Sequence, residues 1–258
     1  MVHDKHVESE RYDARARFQL AGAPIETEAP LGSRTMATYL RTPYLVYERE
    51  ITELLTPRHR VLELGAGVGA HTRALLDTGA QVVASDISVH SVRLLSKRFP
   101  SASNLETAVA DMECLPFDAR SFDAVVCAGS LSYGAPTLVD SEIRRVLRPG
   151  GALVCVDSLD HSPIYRLNRW VQYVRGKRTR STLTYMPNLR RLNAMGTGFC
   201  EVSVQFFGAL SFAMPLIARL AGQENAQIVS DRMDALIGTR RSAFKFVLVA
   251  QRFAATAT

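Results

Sequence analysis

The stretch that decides the fold reads VLELGAGVGAHT, residues 61–72. A short apolar run leads into three glycines at alternate positions, Gly65, Gly67 and Gly69. Glycines let a chain turn sharply after a strand and let a ligand approach the backbone closely, and the helix that follows offers unpaired N–H groups. The stretch therefore predicts a strand, a ligand-facing turn and a helix, with a plain tight turn as the alternative.

Strands and helices alternate after this stretch. Apolar, β-branched segments recur between helical segments that begin or end at Ser, Pro or Gly. Such repeats form right-handed crossovers, which predicts an α/β fold with a doubly wound, mostly parallel sheet. The predicted strands are 60–64, 81–85, 105–110, 122–128 and 152–157, and the predicted helices are 70–78, 88–99 and 137–147.

The two ends of the chain differ from this core. Residues 1–40 are polar with scattered Gly and Pro, which is typical of a mobile arm or lid, and Thr42 is the predicted N-cap of a helix that runs to about residue 55. In the last third, two late strands joined by a long excursion predict an antiparallel pair at one sheet edge. The predicted elements there are helices 164–174, 188–195, 210–220 and 226–236 and strands 201–207 and 243–251.

Length and composition indicate one large domain with elaborations. The chain has 258 residues, 47% hydrophobic and 22% charged, and its four cysteines form no CxxC pair. We therefore expect reduced thiols, no metal site, no secretory signal and a cytoplasmic protein. The longest weakly charged segment falls short of the ~20 residues that span a bilayer. We divide the chain into an arm (1–40) and a domain (41–258), in which 58–160 is the ligand-binding core and 161–242 the acceptor-side elaboration.

Asp86 points to a nucleoside cofactor. It follows the second predicted strand, 21 residues after Gly65, where a carboxylate can accept hydrogen bonds from both ribose hydroxyls. The glycines also fit the dinucleotide pattern GxGxxG/A through Gly65, Gly67 and Ala70. Glu63, however, stands at the strand end, where it suits a cationic amino-acid group better than a pyrophosphate. S-adenosylmethionine carries such a group, so we favour it over NAD.

Five stretches together form a wider pattern: VLELGAGVGAHT (61–72), SDIS (85–88), ADMECLPF (110–117), FDAVVCAGSLSYG (122–134) and VLRPGGALVCVD (146–157). As a set they resemble the class I S-adenosylmethionine-dependent methyltransferases, in particular the branch with ubiquinone-type and small-molecule enzymes. The resemblance covers about residues 40–160 and the two late strands. It implies a Rossmann-like, seven-stranded sheet with an N-terminal helical lid and a C-terminal helical insertion. It also implies S-adenosyl-L-methionine as cofactor, with S-adenosyl-L-homocysteine as product, but says little about the acceptor.

The resemblance assigns roles to residues of the core. The loop of residues 63–69 is expected to hold the methionine part, residues after the second and third strands the ribose and adenine, and the end of the fourth strand the sulfonium. Relatives that methylate adenine or glutamine nitrogens often carry Asn/Asp-Pro-Pro-Tyr/Phe after the fourth strand, whereas residues 128–131 read AGSL, which weighs against those acceptors. The implied cofactor-binding residues are Glu63, Gly65, Ala66, Gly67, Gly69, Asp86, Ile87, Asp111, Met112 and Ala128.

Positive charge is concentrated after the core. The formal net charge of the chain is +6, yet residues 161–200 alone hold seven Arg and one Lys with no Asp or Glu. Arg175, Lys177, Arg178 and Arg180 are the candidates for contact with an anionic small-molecule acceptor. A solvated surface, or counter-charges for acidic residues elsewhere, is the alternative interpretation.

Three side chains are candidates for proton transfer or acceptor contact: His161 after the fifth strand, Tyr133 after the fourth, and His71 in the first turn after the glycines. An alcohol acceptor must lose a proton, and a His with a near-neutral pKa suits that task. The leading hypothesis is O-methylation of an anionic or glycosylated metabolite.

Two alternatives remain open. One is a lipid or quinone methyltransferase that rests on a membrane through Phe206, Phe207 and residues 210–220. The other is a non-catalytic, RNA-associated binding protein, which we disfavour. The oligomeric state is not predicted.

Overall fold

A computed structural model describes residues 32–176, 179–237 and 242–252, together with residues 7, 10, 11, 13, 14 and 17. Seven strands form one sheet in the order β3-β2-β1-β4-β5-β7-β6. Neighbours from β3 to β5 pair in parallel, and β7 runs antiparallel to both β5 and β6. The predicted doubly wound sheet with an antiparallel edge is confirmed. The strands are β1 Arg60–Leu64, β2 Gln81–Asp86, β3 Leu105–Val109, β4 Phe122–Ala128, β5 Leu147–Ser158, β6 Glu201–Phe207 and β7 Lys245–Gln251.

Helices cover both faces of the sheet. Three short 3-10 turns, Gly32–Thr35, Thr38–Leu40 and Leu131–Tyr133, complete the regular structure of the described ranges. The helices are α1 Thr42–Leu54, α2 Thr72–Leu76, α3 Val89–Arg98, α4 Pro136–Val146, α5 Pro163–Val174, α6 Arg180–Thr184, α7 Leu189–Gly196, α8 Met214–Ala221 and α9 Gln223–Ile237.

Alternating side chains of the strands build two cores. On one face, α1, α2 and α3 pack on strand residues such as Val126 and Val154. On the other face, α4 and α7 pack on their neighbours Val125 and Leu153. Continuously apolar strands buried on both faces, such as β4, are what a parallel sheet between two helical layers requires. The sheet thus sits between two layers, and its carboxyl edge stays free for a site.

Some element boundaries differ from the sequence-based expectation. Thr42 lies inside α1 rather than capping it, because its hydroxyl donates to Asp231 Oδ1 in α9 (2.8 Å). Ser88 does cap α3, accepting from Ser91 N (3.0 Å). Helix α2 is shorter than predicted, and β5 is longer, because Leu147 already pairs with Phe122 before a register shift in β4.

The described part of the N-terminal arm contacts the start of α3. Asp13 accepts a short hydrogen bond from the Ser88 hydroxyl, and Arg17 Nε donates to His90 Nε2 (2.9 Å). These contacts lie directly after Asp86. The rest of residues 1–31 lies outside the described residues, and the lid role of the arm stays a prediction.

Candidate functional site

Two glycines leave an open cradle where β1 and β4 end. Gly67 (φ +55°) and Gly129 (φ +74°) adopt left-handed backbone, and a Cβ placed on either meets no atom within 4 Å. Gly65 packs closely against the turn after β4, since a Cβ on it would lie 2.5 Å from Ser130 Cβ. Strand order reverses between β1 and β4, and ligands of doubly wound sheets bind at such a switch point. The cradle has the space and the location for a bound cofactor.

Asp86 ties the glycine loop to the end of β2. Its Oδ2 accepts from Gly67 N (2.8 Å) and its Oδ1 from Ser88 N (2.9 Å). Burial raises the pKa of this carboxyl despite both bonds. Each oxygen keeps a second lone pair, so the carboxylate can still accept two ligand hydroxyls.

Glu63 lies beneath the same loop. It is 2% exposed, and its Oε2 accepts from the Thr72 hydroxyl (2.6 Å). Burial raises the pKa of Glu63 to about 7, and the nearby charge of Asp86 adds to the effect. A cation bound in the cradle would favour the ionised form, so this group is poised to respond to an ammonium.

The other predicted cofactor residues lie along the same edge. Ala110 N donates to Asp86 O (3.0 Å), which places Asp111 beside the end of β2. Asp111 Oδ1 accepts from Glu113 N (2.9 Å), Ile87 is exposed, and Met112 lies between Gly134 and the space above Gly65. Ala66 N donates to Ser85 O, and Ala128 ends β4. The structure therefore brings the predicted set together, while its contacts with a ligand remain predictions.

His71 contacts α1. Its ring stacks on Tyr44 (centroids 5.0 Å apart, planes at 6°), and its Nδ1 lies 3.7 Å from Glu48 Oε1. Burial works to raise the pKa of Glu48, but His71 and Ser33 outweigh it and the pKa is lowered. This geometry favours a positioning role for His71, joining α1 to the glycine loop.

Tyr133 and His161 lie at the carboxyl edge, after β4 and β5 respectively. Tyr133 is half-buried in the turn after β4, with its N–H bonded to Ser130 O (3.1 Å). His161 is half-buried in the loop between β5 and α5. Next to it, Asp160 pairs with Arg166 and Arg169. Nothing in the described ranges groups three His, Cys, Asp or Glu side chains as a metal site.

The arginines and the lysine of residues 161–200 include buried side chains that form ion pairs and exposed side chains. Arg169 and Arg191 are buried: Arg169 pairs with Asp160 (3.2 Å), and Arg191 with Asp140 (3.0 Å). They are counter-charges, as the alternative interpretation held. Arg175 and Arg180 are exposed, and Lys177 and Arg178 lie outside the described residues.

The sequence interpretation missed Lys245 and Tyr44. Lys245 begins β7, is 9% exposed, and donates from Nζ to Tyr44 Oη (2.9 Å). One sequence signal could have found Lys245: it is the single lysine in the mostly apolar run AFKFVLVAQ, residues 243–251. In a strand, alternate side chains share a face, and this alternation directs Lys245 inward. Its partner lies 201 residues away and left no local pattern.

Comparison with known proteins agrees with this geometry. Residues 62–155 match a family described as a methyltransferase domain. These matches support a class I S-adenosylmethionine-dependent methyltransferase domain in this chain. A demethylmenaquinone methyltransferase of Clavibacter sepedonicus is 38% identical over 113 residues, 42% of this chain and 44% of that protein. The family assignment made from the five sequence stretches is confirmed.

Two further relatives extend the match beyond the core. The 24-methylenesterol C-methyltransferase 2 of Oryza sativa subsp. japonica is 30% identical over 180 residues, 66% of this chain and 48% of that protein. The chain thus spans about half the length of these two curated methyltransferases. A Haemonchus contortus phosphoethanolamine N-methyltransferase 2, solved with S-adenosylhomocysteine, shares the fold (TM-score 0.57, 19% identity, 83% of this chain and 52% of that chain).

Proposed function

We propose that this chain transfers the methyl group of S-adenosylmethionine to a small-molecule acceptor. The open cradle at Gly67 and Gly129, bordered by the tied carboxylate of Asp86, carries the proposal. The demethylmenaquinone and 24-methylenesterol methyltransferases support a small-molecule acceptor, and the Haemonchus contortus structure with bound S-adenosylhomocysteine supports the cofactor.

The residues present fit this cofactor. When bound, S-adenosylmethionine supplies a methyl group on a sulfonium, open to in-line displacement. The free lone pairs of Asp86 suit ribose hydroxyls, and Glu63, once ionised, suits the ammonium. Ile87 and Met112 offer apolar surface to adenine.

We further propose that the acceptor atom is an oxygen of an anionic or glycosylated metabolite. As that oxygen bonds to the methyl carbon, the carbon–sulfur bond breaks with its electron pair on sulfur, and the oxygen's proton passes to a base. His161 is the proposed base, because its loop follows β5 at the edge that bears the cradle. His161→Gln should lower kcat and leave the Kd of S-adenosylhomocysteine unchanged. Tyr133→Phe tests acceptor contact in the same way.

A lipid acceptor is the second candidate, favoured by apolar side chains that point to solvent. Trp170 in α5 is 56% exposed and Leu220 in α8 is 78% exposed. The Tyr165 hydroxyl donates to Gly208 O (3.0 Å), which holds α5 against the segment leading to α8. Within the described residues, no helix is long and apolar enough to cross a membrane.

Vesicle sedimentation separates the two acceptor classes. With anionic phosphatidylglycerol vesicles, a lipid-acceptor enzyme should sediment and a Trp170→Ser, Leu220→Ser variant should stay in the supernatant. Leu45→Ser, an exposed apolar position on α1, is the matched control. Wild-type protein that stays in solution overturns the lipid alternative.

The main proposal is tested with methyl-labelled S-adenosylmethionine and small-molecule extracts of the source organism. We expect the label to move to an extractable product with wild type and not with Gly67→Val. Absence of S-adenosylhomocysteine binding by calorimetry would refute the cofactor. Binding without any transfer to a small molecule would refute the activity and favour the non-catalytic alternative.

A further inference from the structure

A cleft opens at the carboxyl edge of the sheet, around the start of β7. It has a volume of about 270 Å³, is open to solvent, and lies between the start of α1, the end of β6, α9 and the start of β7. Pro43, Phe207 and Phe244 give it apolar walls. That volume includes open solvent, and the space enclosed by the walls is about that of one water molecule. The cleft therefore suits the polar end of a ligand, with the rest of the ligand outside.

The distinctive polar group is the ammonium of Lys245. Its Nζ donates to Tyr44 Oη, and the centroids of the Tyr44 and Phe244 rings lie 4.8 and 5.5 Å from it. An ammonium has three donors, so two remain. Throughout the described ranges, no carboxylate forms an ion pair with it. The ammonium acts on the buried carboxyl of Asp157: burial raises the pKa of Asp157, and the charge of Lys245 opposes that rise. An anion from outside would add a direct contact to the two remaining donors.

The nearby carboxylates accept hydrogen bonds from backbone N–H groups or a hydroxyl. Asp234 accepts from Gly208 N (2.7 Å) and Ala209 N (2.9 Å), and Asp231 accepts from the Thr42 hydroxyl. Asp157, across β5, accepts from Leu131 N (2.9 Å) and Ser158 N (2.6 Å). The two carboxylates on the α9 wall repel negative charge there, so the cleft favours a single oxyanion placed at Lys245.

Lys245 is also connected to the cofactor loop. It pairs with Ser158 at the carboxyl end of β5, and its partner Tyr44 stacks on His71, two residues after Gly69. The contacts from Lys245 to Tyr44 and from Tyr44 to His71 therefore lead from the cleft to the glycine loop. We propose that Lys245 binds the carboxylate or phosphate group of the methyl acceptor and so selects anionic acceptors. This inference rests on the proposed methyl transfer.

Benzoate, its neutral analogue benzamide, and inorganic phosphate are suitable probes. Calorimetry on protein saturated with S-adenosylhomocysteine should show benzoate binding at least tenfold tighter than benzamide. Lys245→Met, similar in length but uncharged, should abolish that preference and weaken phosphate binding. Lys97→Met, on exposed α3 surface, is the matched control. Equal affinities of wild type for benzoate and benzamide would overturn the proposal, as would a preference retained by Lys245→Met.

Two further measurements keep the outcomes separate. Acetylation of Lys245 by acetic anhydride, followed by peptide mass mapping of wild type, should be slowed by benzoate and not by benzamide, whether or not the variant folds. S-adenosylhomocysteine affinity should be equal in wild type and Lys245→Met. A loss in the variant alone assigns Lys245 to the cofactor and overturns this inference. Failure of wild type to bind S-adenosylhomocysteine overturns the proposed function instead.

Discussion

The two halves of the carboxyl edge differ in what lines them: backbone groups in one half and side chains in the other. Above β1, β2 and β4, the site is largely backbone: left-handed glycines, loop N–H groups and Asp86 placed by a strand end. Above β5, β7 and β6, it is side chains from distant segments, such as Lys245 and Tyr44. A backbone site persists through many substitutions, whereas a side-chain site changes with each one. Such a fold can keep one cofactor while its acceptors diverge.

Gly67→Val should give the largest effect on the cofactor half. The side chain fills the open cradle and forces a branched residue into φ +55°. We expect S-adenosylhomocysteine affinity to fall at least ~100-fold, from loss of close backbone approach. Gly198→Val, with φ +84° and no atom within 4 Å of its Cβ, repeats the strain at the opposite edge. If calorimetry finds equal affinity of the two variants for S-adenosylhomocysteine, the assignment of the cradle as the cofactor site is wrong.

Glu63 makes the stability of the cofactor half depend on pH. Its pKa of about 7 lies above the ~4.3 of an exposed glutamate, so the folded chain favours the protonated form. That stabilisation is complete below pH ~4.3 and is lost as pH rises through about 7, a change of roughly 3–4 kcal/mol. Urea unfolding at pH 5 and 8 should show a smaller change for Glu63→Gln. The exposed Glu106→Gln should keep the wild-type difference.

Asp86→Ala should weaken S-adenosylhomocysteine binding by about 1.5–3 kcal/mol, the loss expected for hydrogen bonds to a charged acceptor. Asp123→Ala is the control, because Asp123 also accepts a backbone N–H (Arg60 N, 2.8 Å) but at the amino edge. Calorimetry should find the affinity of Asp123→Ala for S-adenosylhomocysteine unchanged. A folded Asp86→Ala protein with full affinity would remove the ribose assignment.

The smallest effect is expected on the acceptor half, from Arg175→Gln combined with Arg180→Gln. Both side chains are exposed, where water and salt weaken ion pairs, so the acceptor KM should rise no more than about fivefold. High salt should produce the same rise in wild type. An unchanged KM would make these arginines solvated surface, while a large rise would place the anion site there instead of at Lys245.

The sequence predicted those parts whose causes are local. Strands β1, β4 and β6 begin and end at the predicted residues, because turn residues and apolar runs mark them. The loop glycines and Asp86 were found for the same reason. Arg191 and Lys245 were not understood, since a buried counter-charge and an anion subsite look alike until Asp140 or Tyr44 arrives from elsewhere in the chain. Thr42 was predicted as a helix cap because no nearby sequence pattern indicates its hydrogen-bond partner, Asp231, which is distant in the chain.

The strand order also sets the sequence of assembly. Strand β6 precedes β7 in the chain, yet β7 is its only neighbour within the described sheet. The five parallel strands can associate as they emerge from the ribosome, whereas β6 must wait until residues 245–251 insert against β5. Such non-local pairing is slow because a long loop closes first. The half that binds cofactor can therefore be complete while the half that selects the acceptor is still unformed.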